Sequence, residues 1–212
     1  MKYKSSLKIW FIPFNAPLKV ITKEEKNFSC GLNNYTKTRY NHPRGYIREV
    51  LSRLFLISPL EVPLINAIGK PPLLKESMGY LSLSYSLNNL IICWSLDKVG
   101  IDMENRFRKF NAQNLMDRFY FEEEKKNISF SNKQKIRESV LQYWVFKEAS
   151  IKLIGGTISK NLNQIEIINN KFAKNNLDGS YINLINLSYK DFLIGIASKN
   201  KDLYKESIIC EY

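Results

Sequence analysis

Two carboxylates stand two residues apart in Val99-Gly100-Ile101-Asp102-Met103-Glu104. In an extended strand, residues i and i+2 project to the same face. Asp102 and Glu104 therefore point together, while Ile101 and Met103 point to the core. Such a pair repels and costs free energy unless something cationic lies between its members. Two arrangements remain open for it, a solvated strand end or a divalent-cation site. Hard oxygen ligands without His or Cys suit Mg²⁺, or Mn²⁺ in its place. The single histidine and three widely spaced cysteines (Cys30, Cys93, Cys210) offer neither a zinc spacing nor a disulfide framework.

A third carboxylate lies in Tyr143-Trp144-Val145-Phe146-Lys147-Glu148-Ala149. At about 100° per residue, Glu148 falls among Leu141, Trp144, Val145 and Ile151, in the middle of an apolar stripe. Charged side chains are seldom buried alone, and an unpaired carboxylate there is costly. Lys152, one turn on, shares that face. An ordinary i,i+4 Glu–Lys pair contributes roughly 0.2–0.5 kcal/mol and sits on the polar side of a helix. This one does not, which points to a functional carboxylate and ammonium.

The elements that must position these groups follow from pattern. Thr22-Lys23-Glu24-Glu25 has the capping-box form and predicts a short helix. A longer helix is expected after His42-Pro43, with Pro43 in its first turn and Ile47, Val50, Leu51, Leu54 and Phe55 on one stripe. The lone His42 reads as a helix-entry residue. Short strands are expected over LSLSYS, LIICWSL and VGIDME between Leu81 and Glu104, then helices over 115–126 and 133–154, stopped by Gly155-Gly156. Strands return in QIEII, YINLINL and DFLIGIAS. Helices and antiparallel strands thus segregate in sequence, which argues for an α+β fold rather than a doubly wound parallel sheet. Two similar halves meeting near residue 100 would account for the order.

Taken together, four segments resemble the 4′-phosphopantetheinyl transferases of the surfactin type. Gly69-Lys70-Pro71, Leu83-Ser84-Tyr85-Ser86, Gly100-Ile101-Asp102-Met103-Glu104 and Trp144-Val145-Phe146-Lys147-Glu148-Ala149-Ser150-Ile151-Lys152 follow that family's G-K-P, S-H-S, G-I-D-x-E and W-x-x-K-E-A/S-x-x-K in order and spacing. A helix with Arg39, Arg48 and Arg53 carries the likeness upstream. The resemblance implies transfer of the phosphopantetheine arm of coenzyme A to a serine of an apo acyl or peptidyl carrier protein, releasing 3′,5′-ADP. It also implies two α+β halves, 1–98 and 99–212, with the active site between them. Asp102, Glu104 and Glu148 would hold Mg²⁺ beside the coenzyme A pyrophosphate, with Glu148 also the candidate general base. Lys152 would contact the phosphates, and Asp102, Ser84 and Tyr85 would touch coenzyme A. Lys70, Gly69 and Pro71 would line the nucleotide pocket, and Arg39, with Arg44, Lys23 or Lys26, would clamp the 3′-phosphate. Glu124 aligns with a further acidic position, although Phe121-Glu122-Glu123-Glu124 reads more simply as an exposed helix-end charge run. Tyr85 replaces the family histidine; it can donate a hydrogen bond but stays neutral at pH 7.

Composition is consistent with that picture. The 212 residues are 44% apolar and 25% charged, which excludes a mainly disordered chain. No run approaches the roughly 20 apolar residues of a membrane span. Lys8 and Pro13 interrupt the opening MKYKSSLKIWFIPF, which reads as a strand and not as a signal peptide. The odd, scattered cysteines fit a reducing cytoplasm. A net charge of +12 attracts anions. Without helix-turn-helix, zinc or RNP-like patterns, nucleic acid is the weaker reading. Coenzyme A and an acidic carrier protein are the stronger, met by a monomer.

Overall fold

The computed structural model describes residues 7–65, 71–129, 133–206 and 208–211. Strand β1 (Lys8–Pro13) is followed by helices α1 (Lys23–Cys30) and α2 (Asn34–Phe55), a small hairpin of β2 (Leu64–Ile65) and β3 (Leu73–Leu74), and strands β4 (Tyr80–Ser86), β5 (Asn89–Ser95) and β6 (Val99–Asn105). Helices α3 (Ala112–Phe119), α4 (Glu122–Ser129), α5 (Lys133–Ile154) and α6 (Ile158–Asn161) come next, then β7 (Ile165–Asn169), β8 (Phe172–Asn175), β9 (Tyr181–Tyr189), β10 (Phe192–Ser198) and β11 (Ile208–Glu211). The fold is α+β. One sheet has the order β11-β1-β5-β4 and another β6-β10-β9-β8-β7. Pairing is antiparallel throughout both, except that β11 lies parallel to β1.

Four layers result. Leu7, Ile9, Phe11, Ile91 and Cys93 of the first sheet pack against Ile101, Met103, Ile194 and Ile196 of the second, forming an inter-sheet core. The outer face of the first sheet, with Trp10, Ile12, Ile92 and Trp94, receives Tyr46, Ile47, Val50 and Leu51 of α2. The outer face of the second receives α5, through Val140, Phe146, Ala149 and Leu153 among others. Each sheet pairs the strand that precedes its 22-residue helix with the second strand of a later hairpin, β1 with β5 and β6 with β10.

Local chemistry explains the helix ends. Thr22 and Glu25 form the capping box reciprocally, Thr22 N–H to Glu25 at 2.8 Å and Glu25 N–H to Thr22 Oγ1 at 3.2 Å. Helix α5 stops at Gly155, whose φ of +70° costs a glycine little. Helix α2 differs from expectation. It begins at Asn34, capped by Asn33, which accepts the Thr36 N–H at 2.9 Å, and Pro43 sits inside it. His42 is accordingly not at a helix entrance but fully buried mid-helix, stacked on Phe14 with centroids 4.5 Å apart. Burial of Asn41 through Ile47 on this stretch holds the helix through the proline, a case of packing overriding a local breaker. The expected 115–126 helix is two, because Tyr120 is extended between α3 and α4.

Glycines let α5 approach the sheet. A β-carbon at Gly100 would fall against the Ala149 carbonyl and within 2.6 Å of the Leu153 nitrogen; at Gly195 it would meet Val145 Cγ1 at 2.8 Å. Across β6 and β10, Gly195 lies opposite Asp102, and Gly100, two residues before Asp102, lies opposite Ala197. The glycine of the G-I-D-x-E segment is thus a close-approach residue. Gly100→Ala is expected to push α5 off β6 and destabilise the protein by about 1–3 kcal/mol, read as a lowered denaturant midpoint with little change in slope.

Candidate active site

Strand β6 puts Ile101 and Met103 into the inter-sheet core and turns Gly100, Asp102 and Glu104 towards α5. Asp102 is 3% exposed and Glu104 half-buried. Glu148 and Lys152 lie half-buried on the facing side of α5. Burial pushes the Glu148 carboxyl up to about 8; the negative charge of Asp102 adds to the rise, Lys152 opposes it, Glu104 adds and Arg108 opposes. The helix acid therefore stands within the field of both strand acids. Glu104 is also raised, chiefly by burial, against the pull of Arg108.

Strand β4 supplies the other wall. Its polar positions Ser82, Ser84 and Ser86 are all buried and face β6. Their hydroxyls accept the backbone N–H groups of Ile101 (2.9 Å), Met103 (3.2 Å) and Asn105 (3.1 Å). Ser84 donates to Asp102 Oδ1 at 2.7 Å, and Ser86 donates to Glu104 Oε2 at 3.0 Å. Lys152 Nζ donates to Leu83 O at 3.1 Å, Ile101 O at 3.0 Å and Asp102 Oδ1 at 2.8 Å. An ammonium has three protons, so these bonds use all of them and rivet β4, β6 and α5 together. Arg108 forms an ion pair with the other Glu104 oxygen.

The two strand carboxylates are each paired with a cation, Asp102 with Lys152 and Glu104 with Arg108, and among the described residues no three His, Cys, Asp or Glu side chains are gathered closely enough to hold a metal ion. The donor chemistry nevertheless suits one. All candidate ligands are carboxylate oxygens, and Asp102 Oδ2 is buried without a hydrogen-bond partner. A buried anionic oxygen left unmatched is costly, and a hard divalent cation is the group that would match it.

Around Tyr85, also on β4, a basic and aromatic cluster forms. The Arg39 guanidinium lies 5.0 Å from the Tyr85 ring centre and donates to Tyr35 Oη at 2.6 Å. Phe14 packs against Tyr85 at 5.8 Å. Burial raises the Tyr85 phenol above its usual range, against the pull of Arg39 and Arg44, so it remains a neutral donor. Arg39 is exposed. Arg44 is buried over the Tyr40 ring at 3.6 Å, with Nε 3.9 Å from Glu25 and neither Nε nor Nη2 hydrogen-bonded. Arg48 holds Glu25 through two bonds of 3.1 and 3.0 Å and is structural. Lys23 and Lys26 are exposed on α1, and Pro71 is exposed. Gly69 and Lys70 lie outside the described residues.

Glu124 corrects the sequence reading. It is not part of an exposed charge run but entirely buried, ion-paired to the equally buried Lys147 at 2.9 Å. Its oxygens accept the Phe121 N–H at 2.7 Å and the Ile167 N–H at 2.6 Å, while Lys147 also donates to Ile165 O. The pair ties α4, α5 and β7. Arg108 and the carboxylate role of Ser86 were not foreseen; the alternating serines of LSLSYS were the available signal for the second. Glu124→Ala should leave an uncompensated ammonium and destabilise by about 3–5 kcal/mol, whereas Glu124→Leu with Lys147→Met should recover most of that in urea unfolding.

The described helices include none long and apolar enough to cross a membrane. The sequence pattern of the 4′-phosphopantetheinyl transferase superfamily matches residues 98–197. The holo-[acyl-carrier-protein] synthase of Mycoplasma capricolum subsp. capricolum is 33% identical over 108 residues, which is 50% of this chain and 97% of that protein. Asp102, Glu104, Glu148 and Lys152 all fall within the matched stretch.

Proposed function

The chain belongs to the 4′-phosphopantetheinyl transferase superfamily, and from that premise we propose how its own residues serve the reaction. The protein transfers phosphopantetheine from coenzyme A to an apo carrier protein. The observation that carries the assignment of the site is the close crossing of α5 over β6 at Gly100, which puts Glu148 and Lys152 on the side of Asp102 and Glu104.

In the proposed reaction the carrier serine oxygen attacks the β-phosphorus of coenzyme A. A new phosphorus–oxygen bond forms, the bond to the bridging pyrophosphate oxygen breaks, and 3′,5′-ADP leaves with that electron pair. Glu148 takes the hydroxyl proton. Asp102, Glu104 and Glu148 would hold Mg²⁺, or Mn²⁺, which when bound neutralises charge on the phosphates. Lys152 adds positive charge beside Asp102 without leaving its three acceptors. Arg39 and Tyr85, with Arg44 behind them and Lys23 and Lys26 at the rim, would receive the nucleotide end and its 3′-phosphate. The positive surface would draw in coenzyme A and an acidic carrier.

We further propose the two-half arrangement of the surfactin type, 1–98 and 99–212, acting as a monomer in the cytoplasm. The strand–helix–hairpin succession occurs twice, and half of this chain accounts for 97% of its shorter relative.

Incubation with coenzyme A, Mg²⁺ and an apo acyl or peptidyl carrier should add about 340 Da to the carrier. Asp102→Ala should lower the rate by about two orders of magnitude or more. No mass gain with several carriers would overturn the activity, and an undiminished Asp102→Ala would overturn the site. Arg39→Ala should raise KM for coenzyme A by about tenfold or more with kcat little changed. The same substitution should have no such effect with dephospho-coenzyme A, which lacks the 3′-phosphate.

A further inference from the structure

Three serines on β4 make the same bond to β6 but not the same second bond. Ser82, Ser84 and Ser86 each accept one backbone N–H, from Ile101, Met103 and Asn105. Among the described residues only Ser84 and Ser86 go on to donate to a carboxylate, to Asp102 at 2.7 Å and Glu104 at 3.0 Å. The three are 8%, 4% and 6% exposed. A hydroxyl has one proton, and a backbone N–H already points at each serine oxygen. The remaining proton is therefore directed onto the carboxylate, not left to rotate.

We infer that Ser86, with Ser84, is a positioning residue for the strand carboxylates, so that the first sheet orients the acidic groups offered by the second. Ser86 fixes Glu104 Oε2, leaving Oε1 to the half-exposed Arg108. Ser84 and Lys152 both fix Asp102 Oδ1, which leaves the partnerless Oδ2 to face an incoming cation. Each carboxylate thus has one oxygen held by a buried serine and one available for exchange. Outer partners of this kind cut the freedom a ligand must lose on binding metal, and their removal weakens metal affinity by roughly 10- to 100-fold.

This rests on the metal reading given above, and Ser82 separates the two. Ser82→Ala removes an equivalent buried inter-sheet bond without touching a carboxylate. Binding of Mn²⁺ to the whole protein, followed by loss of the free-ion electron paramagnetic resonance signal with and without coenzyme A, gives a readout independent of turnover. Ser86→Ala should weaken Mn²⁺ binding about tenfold or more, Ser86→Thr, which keeps the hydroxyl, should restore most of it, and Ser82→Ala should bind as the unaltered protein does. Thermal unfolding of the three variants checks that each is folded at the temperature used. Normal Mn²⁺ affinity in folded Ser86→Ala, or an equal loss in Ser82→Ala, overturns the serine role while leaving the metal reading intact. Failure of the unaltered protein to bind Mn²⁺ under either condition overturns both.

Discussion

Helix α5 lies on strand β6 with backbone against backbone. At Gly100 no side chain separates them, and at Gly195 on the neighbouring strand the nearest helix atom would already crowd a methyl group. That closeness decides what the next residues along β6 can do. Asp102 and Glu104 occupy the same strand face as Gly100 and so open towards the helix. Glu148 and Lys152 sit where the helix crosses them. Small residues at a tight crossing are usually a packing device; here the crossing brings acids from two distant segments into one electrostatic neighbourhood.

Two lysines of helix α5, Lys147 and Lys152, show two fates for buried charge. Lys147 is completely enclosed, matched by a completely enclosed Glu124 and the Ile165 carbonyl, while backbone N–H groups donate to Glu124. Its polar atoms are accounted for within the protein. Five residues later, Lys152 is still one-third exposed at its side chain, and the acids near it outnumber the cations. Asp102 and Glu104 are paired with Lys152 and Arg108, while burial and the strand acids push the Glu148 carboxyl up to about 8 and Asp102 Oδ2 is left without a hydrogen-bond partner. The closed pair is architecture. The open one has unspent capacity, which is the condition a binding site needs.

Much of this was legible in the residues. The capping box at Thr22, the strand alternations between Leu81 and Glu104, and the 133–154 helix with its glycine stop are local patterns with local causes, and they form where expected. The shared direction of Asp102 and Glu104 follows from strand geometry alone. What escaped reading depended on distant partners. Pro43 looks like a helix start until His42 and its neighbours are known to be buried. Glu124 in a run of three glutamates looks solvated, because its partner Lys147 is 23 positions away and hidden in a motif read for its glutamate. The serines of β4 look like a wet face, since alternation cannot tell water from a neighbouring strand.

Strand β11 lies parallel to β1, in register from Lys8 opposite Ile208 to Phe11 opposite Glu211. The outermost ribbon of the sheet built by the first residues is therefore made by residues some two hundred positions later. During synthesis, which runs from the amino end at a pace of several residues per second, β1 must wait with one flank unmatched until β11, some two hundred residues on, has emerged. Such a delayed closure depends on a contact of very large sequence separation, the slow class of encounter in folding. The second sheet, whose last strand is β10, thus has all its strands before the first sheet does.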